Sequence, residues 1–483
     1  MKNDISNNIK KVLFIFLMCF IGLIGYISHF YLVTAPKIVN SPLNMRSWAK
    51  RNEVLRGTIY DRNSKALTVS KRVNTLTQDR QYTSGPAFCH VLGYVNQKYG
   101  LTGIEKKYDS YLMADNESQD AIDLIKKIIA NPFQKNVAEE KIGDSLYTTL
   151  DYNLQNEAYN LLNGKKGAVV AVNPKTGEVL ALVSSPSYDP NNLDSIWSSI
   201  NTDNSRPLIN RAVSGLYPPG STFKMITAMS SIENISDIMQ ESFNDTGKLY
   251  LNSKQSISDF DGEAPGHLDF KSAFVQSSNV VFGTLAMKLG NSKLKSTAEK
   301  FYFNNNIPSD DISISKSIFP AYKSYEIGNI AQSGFGQAGV VATPMQMTMI
   351  ASTIANGGVM MKPYIVNKIV DKKGNLVKQI QPQQVGTIIN SNEANTMKDF
   401  MRSVVESGTG MAVNIDGLNV CGKTGTAEHD YSAKGSPTHS WFVGFAPKES
   451  ASIAVGVIVE DGGTGGGIAA QIAAQIIKTY LKG

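Results

Sequence analysis

Cysteine is scarce in this chain. Cys19, Cys89 and Cys421 are the only three in 483 residues, too few and too scattered for a disulfide framework or a zinc knuckle, so thiols do not organise the chemistry. Charge of one sign is missing as well: 47 Lys and Arg against 41 Asp and Glu leave a net +6, too small an excess to mark a nucleic-acid-binding surface. Histidine is rare, five in all. His429, Asp430 and His439 fall near Cys421, but their spacing matches no zinc pattern; the stretch reads as a loop with exposed histidines, and Cys421 as a small apolar strand residue. Neither a metal nor a cofactor is expected. The rest of the composition is ordinary, with 42 % apolar and 18 % charged residues, which suits a sizeable core and excludes wholesale disorder. At roughly 100 to 200 residues per domain, the length calls for two or three domains.

One long apolar run stands at the N-terminus. Residues 12–33 carry no formal charge apart from any fraction on His29, and as a helix they span about 33 Å against a hydrocarbon core of about 30 Å. Lys10 and Lys11 precede the run, so the positive-inside rule puts the N-terminus in the cytoplasm and everything after Val33 outside. A cleaved signal peptide is the rival, yet the run is longer than a signal core and no small-x-small site closes it. Residues 1–35 are therefore expected to be a short tail and a single membrane anchor.

Residues 36–155 form a mixed segment with strand-like pieces at 58–60 and 66–69 and little chemistry. The next piece reads as a hairpin, 168–172 and 179–183, around Asn173-Pro174-Lys175-Thr176-Gly177, where Pro and Gly supply the turn dihedrals. From Ser221 the period is helical, with Met225, Ile226, Met229 and Ile232 on a buried face. Thr343 before Pro344 is an N-cap, and Gly357 a stop. A second hairpin, 440–446 and 453–460, precedes a final helix over 467–481. Strands at both ends with helices between them predict an α+β domain, 156–483, whose sheet joins distant parts of the chain.

Ser with Lys three residues on places an amine beside a hydroxyl on one helix face. The pattern occurs at Ser47 and Lys50, Ser221 and Lys224, Ser292 and Lys295, and Ser313 and Lys316, so alone it is weak. Ser221 stands apart because Pro218-Pro219-Gly220 delivers it abruptly to a helix N-terminus, where unpaired N–H groups favour developing negative charge. Phe223 and Met225 would desolvate Lys224, and burial lowers a lysine pKa. Serving as a base near neutrality needs a fall of about three units, or about 4 kcal/mol. A neighbouring serine to hold that amine is offered by Gln276-Ser277-Ser278-Asn279, at the head of an apolar helical stretch over 280–289. Lys423-Thr424-Gly425-Thr426, next to the second hairpin, can lie on an edge strand, with Gly425 admitting a substrate backbone and Lys423 and Thr424 meeting a carboxylate. Its double, Lys175-Thr176-Gly177, belongs to the first turn.

In that order, Ser221-Thr222-Phe223-Lys224, Ser277-Ser278-Asn279 and Lys423-Thr424-Gly425 resemble the three active-site motifs of the penicillin-binding proteins. Asn210-Arg211-Ala212, Gly336-Gln337, Ala342-Thr343-Pro344-Met345-Gln346 and Ser440-Trp441-Phe442-Val443-Gly444 resemble further stretches of their transpeptidase domain. Arg56-Gly57-Thr58-Ile59-Tyr60-Asp61-Arg62 and Gly100-Leu101-Thr102-Gly103-Ile104-Glu105 resemble the pedestal of class B members, with Ser64 where the family often has glycine.

The resemblance implies a penicillin-binding transpeptidase domain, an antiparallel sheet flanked by helices, on a short non-catalytic, dimerisation-like pedestal (36–155). It further implies a serine D,D-transpeptidase that cross-links peptidoglycan stem peptides and is acylated by β-lactams. Ser221 would be the nucleophile, Lys224 its base, Ser277 a proton relay and Asn279 an orienting group. Lys423, Thr424 and Thr426 would bind the terminal carboxylate, and the N–H groups of Ser221 and Thr426 would form the oxyanion hole. D,D-Carboxypeptidase activity is the nearest alternative, because water can replace the acceptor amine. A sensor without turnover would usually carry several membrane helices, and a β-lactamase an acidic deacylation loop that is not found. The pedestal is too short for a glycosyltransferase, so a SEDS-family membrane glycosyltransferase is the partner implied.

Overall fold

The computed structural model describes residues 2–35, 45–74, 77–114, 140–253, 255–259, 262–428 and 437–482. His429, Asp430 and the Ser47 and Lys50 side chains lie outside what is described. Helix α1 (Lys2–His29) continues as a π-helical turn, Phe30–Thr34. Its side chains from Asn7 to Val33 are exposed, and the stretch Asn7–Thr34 is long and apolar enough to cross a membrane. An apolar helix on which none of the described residues packs suits a lipid environment.

After α2 (Tyr152–Leu162) come β1 (Gly167–Val172) and β2 (Val179–Ser185). Helices α3 (Lys224–Asn234), α4 (Asn279–Lys300), α5 (Pro344–Ala355) and α6 (Ser391–Ser407) follow. The chain then returns through β3 (Cys421–Ala427), β4 (His439–Ala446) and β5 (Ile453–Val459) to α7 (Ile468–Lys482). The five strands form one antiparallel sheet in the order β3-β4-β5-β1-β2. Pairing of β5 with β1, Gly456 opposite Val170, closes the expected union of chain ends. Alternate side chains divide between two cores: Val169, Val455 and Val457 pack with α2 and α7, whereas Val170, Ala454 and Ile458 pack with Met225, Met345 and Met349 of α3 and α5. Covered on both faces, these strands show runs such as Ile453–Val459 that are buried throughout instead of the alternation of a half-exposed sheet.

Several local expectations hold. Asn173 N donates to Glu178 O at 2.8 Å, and Gly177 N donates to Asn173 O at 2.9 Å with Gly177 at φ 81°. The Thr343 hydroxyl caps α5 by accepting from Gln346 N at 3.0 Å. The apolar stretch 280–289 ends at a kink in α4, where Gly290 has φ 74°.

Of the two strand-like pieces expected in the pedestal, the first is Ile59–Tyr60 and the second, Val69–Asn74, starts later than expected, with Ala66 making only an isolated bridge to Tyr60. Ser64 adopts φ 68°, and Asp61 Oδ1 holds that turn by accepting from Asn63 N at 2.8 Å and Lys65 N at 2.7 Å, a side-chain turn that offsets the missing glycine. Arg56 and Glu105, from the two quoted pedestal motifs, meet in a buried ion pair of 2.6 Å, with Arg80 on the other carboxylate oxygen at 2.8 Å. Ile59–Tyr60 runs parallel to Ser145–Thr148, which pairs in turn with Val366–Val370. One small sheet thus includes strands from both ends of the sequence, which local pattern could not reveal.

Candidate active site

Ser221 does not open an α-helix. Gly220–Phe223 is a 3₁₀ turn, and α3 begins at Lys224. Gly220 sits at φ 54°, and a Cβ there would lie 2.7 Å from Thr426 O, so only glycine lets the turn press against β3. The Trp441 indole holds Pro218 O at 3.0 Å, and the Thr222 hydroxyl holds Pro219 O at 2.7 Å. Behind the turn, Lys224 to Ser231 are all buried and Ile232 only partly, making α3 a central helix without a polar face.

Ser277 precedes α4 with φ 63°, a left-handed conformation that a non-glycine residue keeps only when its surroundings hold it. Its carbonyl and hydroxyl both turn to Lys224, which donates from Nζ to Ser277 O at 2.5 Å, Ser277 Oγ at 3.3 Å and Asn279 Oδ1 at 2.8 Å. Lys423 Nζ donates to the same Ser277 Oγ at 2.8 Å and to Thr424 O at 3.2 Å. The three motifs therefore meet on one hydroxyl. The expected contact from the Lys224 amine to Ser221 Oγ is not made: among the described residues its hydrogen bonds go to Ser277 and Asn279.

Lys423, Thr424, Gly425 and Thr426 lie on β3, the edge strand anticipated for them. Gly425 differs from expectation in its reason. A Cβ there would stand 2.9 Å from both Pro219 O and Thr222 Cγ2, so the open side of the glycine is filled by the Ser221 turn. The Thr424 hydroxyl lies 2.5 Å from that of Thr409, and Thr426 Oγ1 accepts from Gly465 N at 3.0 Å. A cleft of about 800 Å³ runs over these groups, lined by Ser221, Ser277, Asn279, Thr424 and Thr426 among others. Both lysines lie beneath its floor, fully buried.

Burial dominates the electrostatics. Desolvation drives Lys224 well below the usual lysine range, the Lys423 charge adds to the fall, and Asp259 and Asp245 oppose it. Desolvation also brings Lys423 down to about 7. Two amines whose protonation burial disfavours, both set around one hydroxyl, can pass protons at little energetic cost.

The remaining candidates separate from the site. Ser292, Ser313 and Lys316 are exposed, and Lys295 pairs with Glu299. Lys175 reaches Ser450 at 2.9 Å, far along the sheet. His439 is not an exposed loop residue: it is buried on β4, accepts from Asp461 N at 3.2 Å through Nδ1 and stands edge-on to Tyr217. The register opposite Ala427 takes its ring into the sheet. Burial pushes the Cys421 thiol up to about 12. Sequence reasoning missed Asp245, Asp259 and Thr409, which belong to no motif and reach the site only through the fold.

A family model described as "Penicillin binding protein transpeptidase domain" matches residues 167–478, and "Penicillin binding protein A dimerisation domain" matches residues 56–138. The chain is 32 % identical over 425 residues to peptidoglycan D,D-transpeptidase PbpA of Mycolicibacterium smegmatis, covering 83 % of this chain and 84 % of that protein. It is 30 % identical over 447 residues to peptidoglycan D,D-transpeptidase MrdA of Acinetobacter baumannii, covering 83 % and 66 %. The ceftriaxone acyl-enzyme of penicillin-binding protein A from M. tuberculosis superposes with a TM-score of 0.81 at 28 % identity, over 90 % of this chain and 100 % of that one. With a transpeptidase domain that fills most of its length, an N-terminal dimerisation domain and three motifs converging in one cleft, the chain belongs to the penicillin-binding protein transpeptidases of class B.

Proposed function

We propose that Ser221 is the nucleophile by which this peptidoglycan D,D-transpeptidase, itself acylated by β-lactams, cross-links stem peptides. Its Oγ attacks the carbonyl between the two terminal D-alanines while Lys224 takes the proton. The C–N bond then breaks, the last D-alanine leaves with a proton returned through Ser277, and the acyl group stays as an ester on Ser221. An amine from a second stem attacks that ester, gives up its proton along the same path, and the serine regains its hydroxyl. Asn279 orients Lys224. Thr424 and Thr426 meet the terminal carboxylate from the cleft wall, and Lys423 favours it from below. N–H groups of Ser221 and Thr426 receive the oxyanion, where each donor is typically worth about 3 kcal/mol.

The observation that carries this reading is the sharing of Ser277 Oγ by Lys224 and Lys423 under the cleft that exposes Ser221. Intact mass after incubation with benzylpenicillin tests it. A stable adduct on Ser221 that is absent from Ser221→Ala is expected; an adduct retained in that variant refutes it. A donor peptide with and without an added amine then separates cross-linking from trimming.

The proposal extends to organisation. Residues 1–35 anchor the protein, 36–155 form the pedestal and 156–483 the catalytic domain. With Lys10 and Lys11 before the span, the N-terminus is cytoplasmic and the catalytic domain faces the wall of a bacterial cell. A SEDS-family glycosyltransferase polymerises the glycan and is contacted through α1 and the pedestal. Purification from detergent that recovers no such protein counts against that partner.

A further inference from the structure

Two aspartates behind the catalytic motifs are used by none of the steps above. Asp245 Oδ2 accepts from the Ser278 hydroxyl at 2.5 Å, while Asp245 Oδ1 accepts from Gly247 N at 2.9 Å. Ser278 Oγ in turn accepts from Val281 N at 2.9 Å and caps α4. Asp259 Oδ1 accepts from the backbone N–H of Asn279 and, at 3.2 Å, from Val280 N, so both carboxyls close the head of the helix that carries Asn279. Asp259 Oδ2 is buried and has no hydrogen-bond partner among the described residues, although a carboxylate would ordinarily fill that position. Burial, and then the facing carboxyl of Asp245, raise Asp259 to about 6. Below that pH it carries a proton that Oδ2 can give to Asp245, and above it Asp259 bears the charge that an asparagine would lack.

We propose that Asp245 and Asp259 are positioning residues for acylation: they clamp the head of α4 so that Ser277 keeps its left-handed conformation between the two lysines. Their negative charge also sets how far the pH must rise before Lys224 gives up its proton and can act as the base. The inference rests on Lys224 being the base for Ser221. The groups facing Lys224 are the Lys423 ammonium from β3, Ser277 and Asn279 from the α4 head, the Phe282 and Phe335 rings, and the two aspartates. Lys423 opposes protonation of Lys224; the aspartates alone favour it. Asp259→Asn keeps the Oδ1 acceptor for α4 and supplies Asp245 with a donor, but removes the charge. The base then becomes neutral at lower pH.

The test is the second-order rate of acylation by benzylpenicillin between about pH 5 and about pH 9, on the full chain in detergent, for wild type, Asp259→Asn, Asp259→Ala and Asp245→Asn. Asp259→Asn is expected to move the acid limb down by about one unit, the lower end of the effect of a nearby opposite charge. Asp259→Ala is expected to lower the plateau about tenfold, as the head of α4 loses its acceptor. An acid limb that stays in place in both Asn variants overturns the inference, as does a wild-type rate without an acid limb. Failure of the underlying reading is distinguishable, because it appears as an adduct in Ser221→Ala or as a wild-type acylation rate in Lys224→Ala, whatever the profiles of the aspartate variants.

Discussion

Lys423 Nζ lies 2.8 Å from Ser277 Oγ although 146 residues separate them. This contact ties the edge strand to the head of α4. The Lys423 amine has Ser277 Oγ and Thr424 O as acceptors but no carboxylate among its hydrogen-bond partners in the described residues, so the fold holds this buried amine at the expense of stability.

Lys423→Met should therefore stabilise the fold and abolish acylation. A fall from 10.5 to about 7 corresponds to about 5 kcal/mol at pH 7, an upper figure. Because the folded value lies below the unfolded one, the penalty is full below about pH 7 and fades as pH rises toward the unfolded value. The melting temperature at neutral pH should rise in Lys423→Met, and the gap to wild type should narrow at alkaline pH. Calorimetry across that window checks both.

Carboxylate recognition should weaken in the same pH range. Above about 7 Lys423 loses its charge, so KM for a peptide ending in a free carboxylate should rise, by up to about tenfold per unit. The amide-terminated peptide should show no such rise. Steady-state kinetics of the two peptides side by side make the comparison.

Asn279→Ala removes the 2.8 Å acceptor of Lys224 and should slow acylation by about 10² while leaving KM for the carboxylate little changed. Stopped-flow acylation with a chromogenic cephalosporin reads the loss.

Gly425→Ala would put a methyl group 2.9 Å from Pro219 O. Either β3 or the Ser221 turn must yield by several tenths of an ångström. A displacement of that size at Ser221, the proposed nucleophile, should reduce acylation by about 10 to 100-fold, with a much smaller change in thermal stability. Acylation rate and melting curve together distinguish this from simple unfolding.

Arg211→Ala should act through stability. Arg211 joins Glu460 at 2.7 Å and donates to Arg206 O and Ser205 O, while Tyr217 donates to the same carboxylate at 2.8 Å. Leaving Glu460 with only the tyrosine should destabilise the domain by about 3 kcal/mol, visible as a lower urea midpoint.

Elements written in local chemistry were legible. The Pro-Gly turn after β1, the Thr343 cap of α5 and the apolar core of β5 each depend on a few neighbouring residues. The three motifs were legible through their resemblance, taken in order, to those of the penicillin-binding proteins, since Ser with Lys three residues on occurs four times in this chain. The 3₁₀ form of the Ser221 turn was not, since it depends on Gly220 meeting Thr426 two hundred residues away. Nor was the burial of His439, where an apparently polar loop residue is drawn into the sheet by its register with Ala427.

Composition and pattern by themselves determined the long apolar N-terminal helix, the α+β class and where the three motifs stand in the chain, because those follow from hydrophobicity, periodicity and residue type along the sequence. Only the tertiary structure decided that both lysines turn to Ser277, that Gly425 is bare to admit the Ser221 turn, and that Asp245 and Asp259 stand behind them. Burial and mutual field set the protonation of such groups, and neither exists until distant segments have packed together.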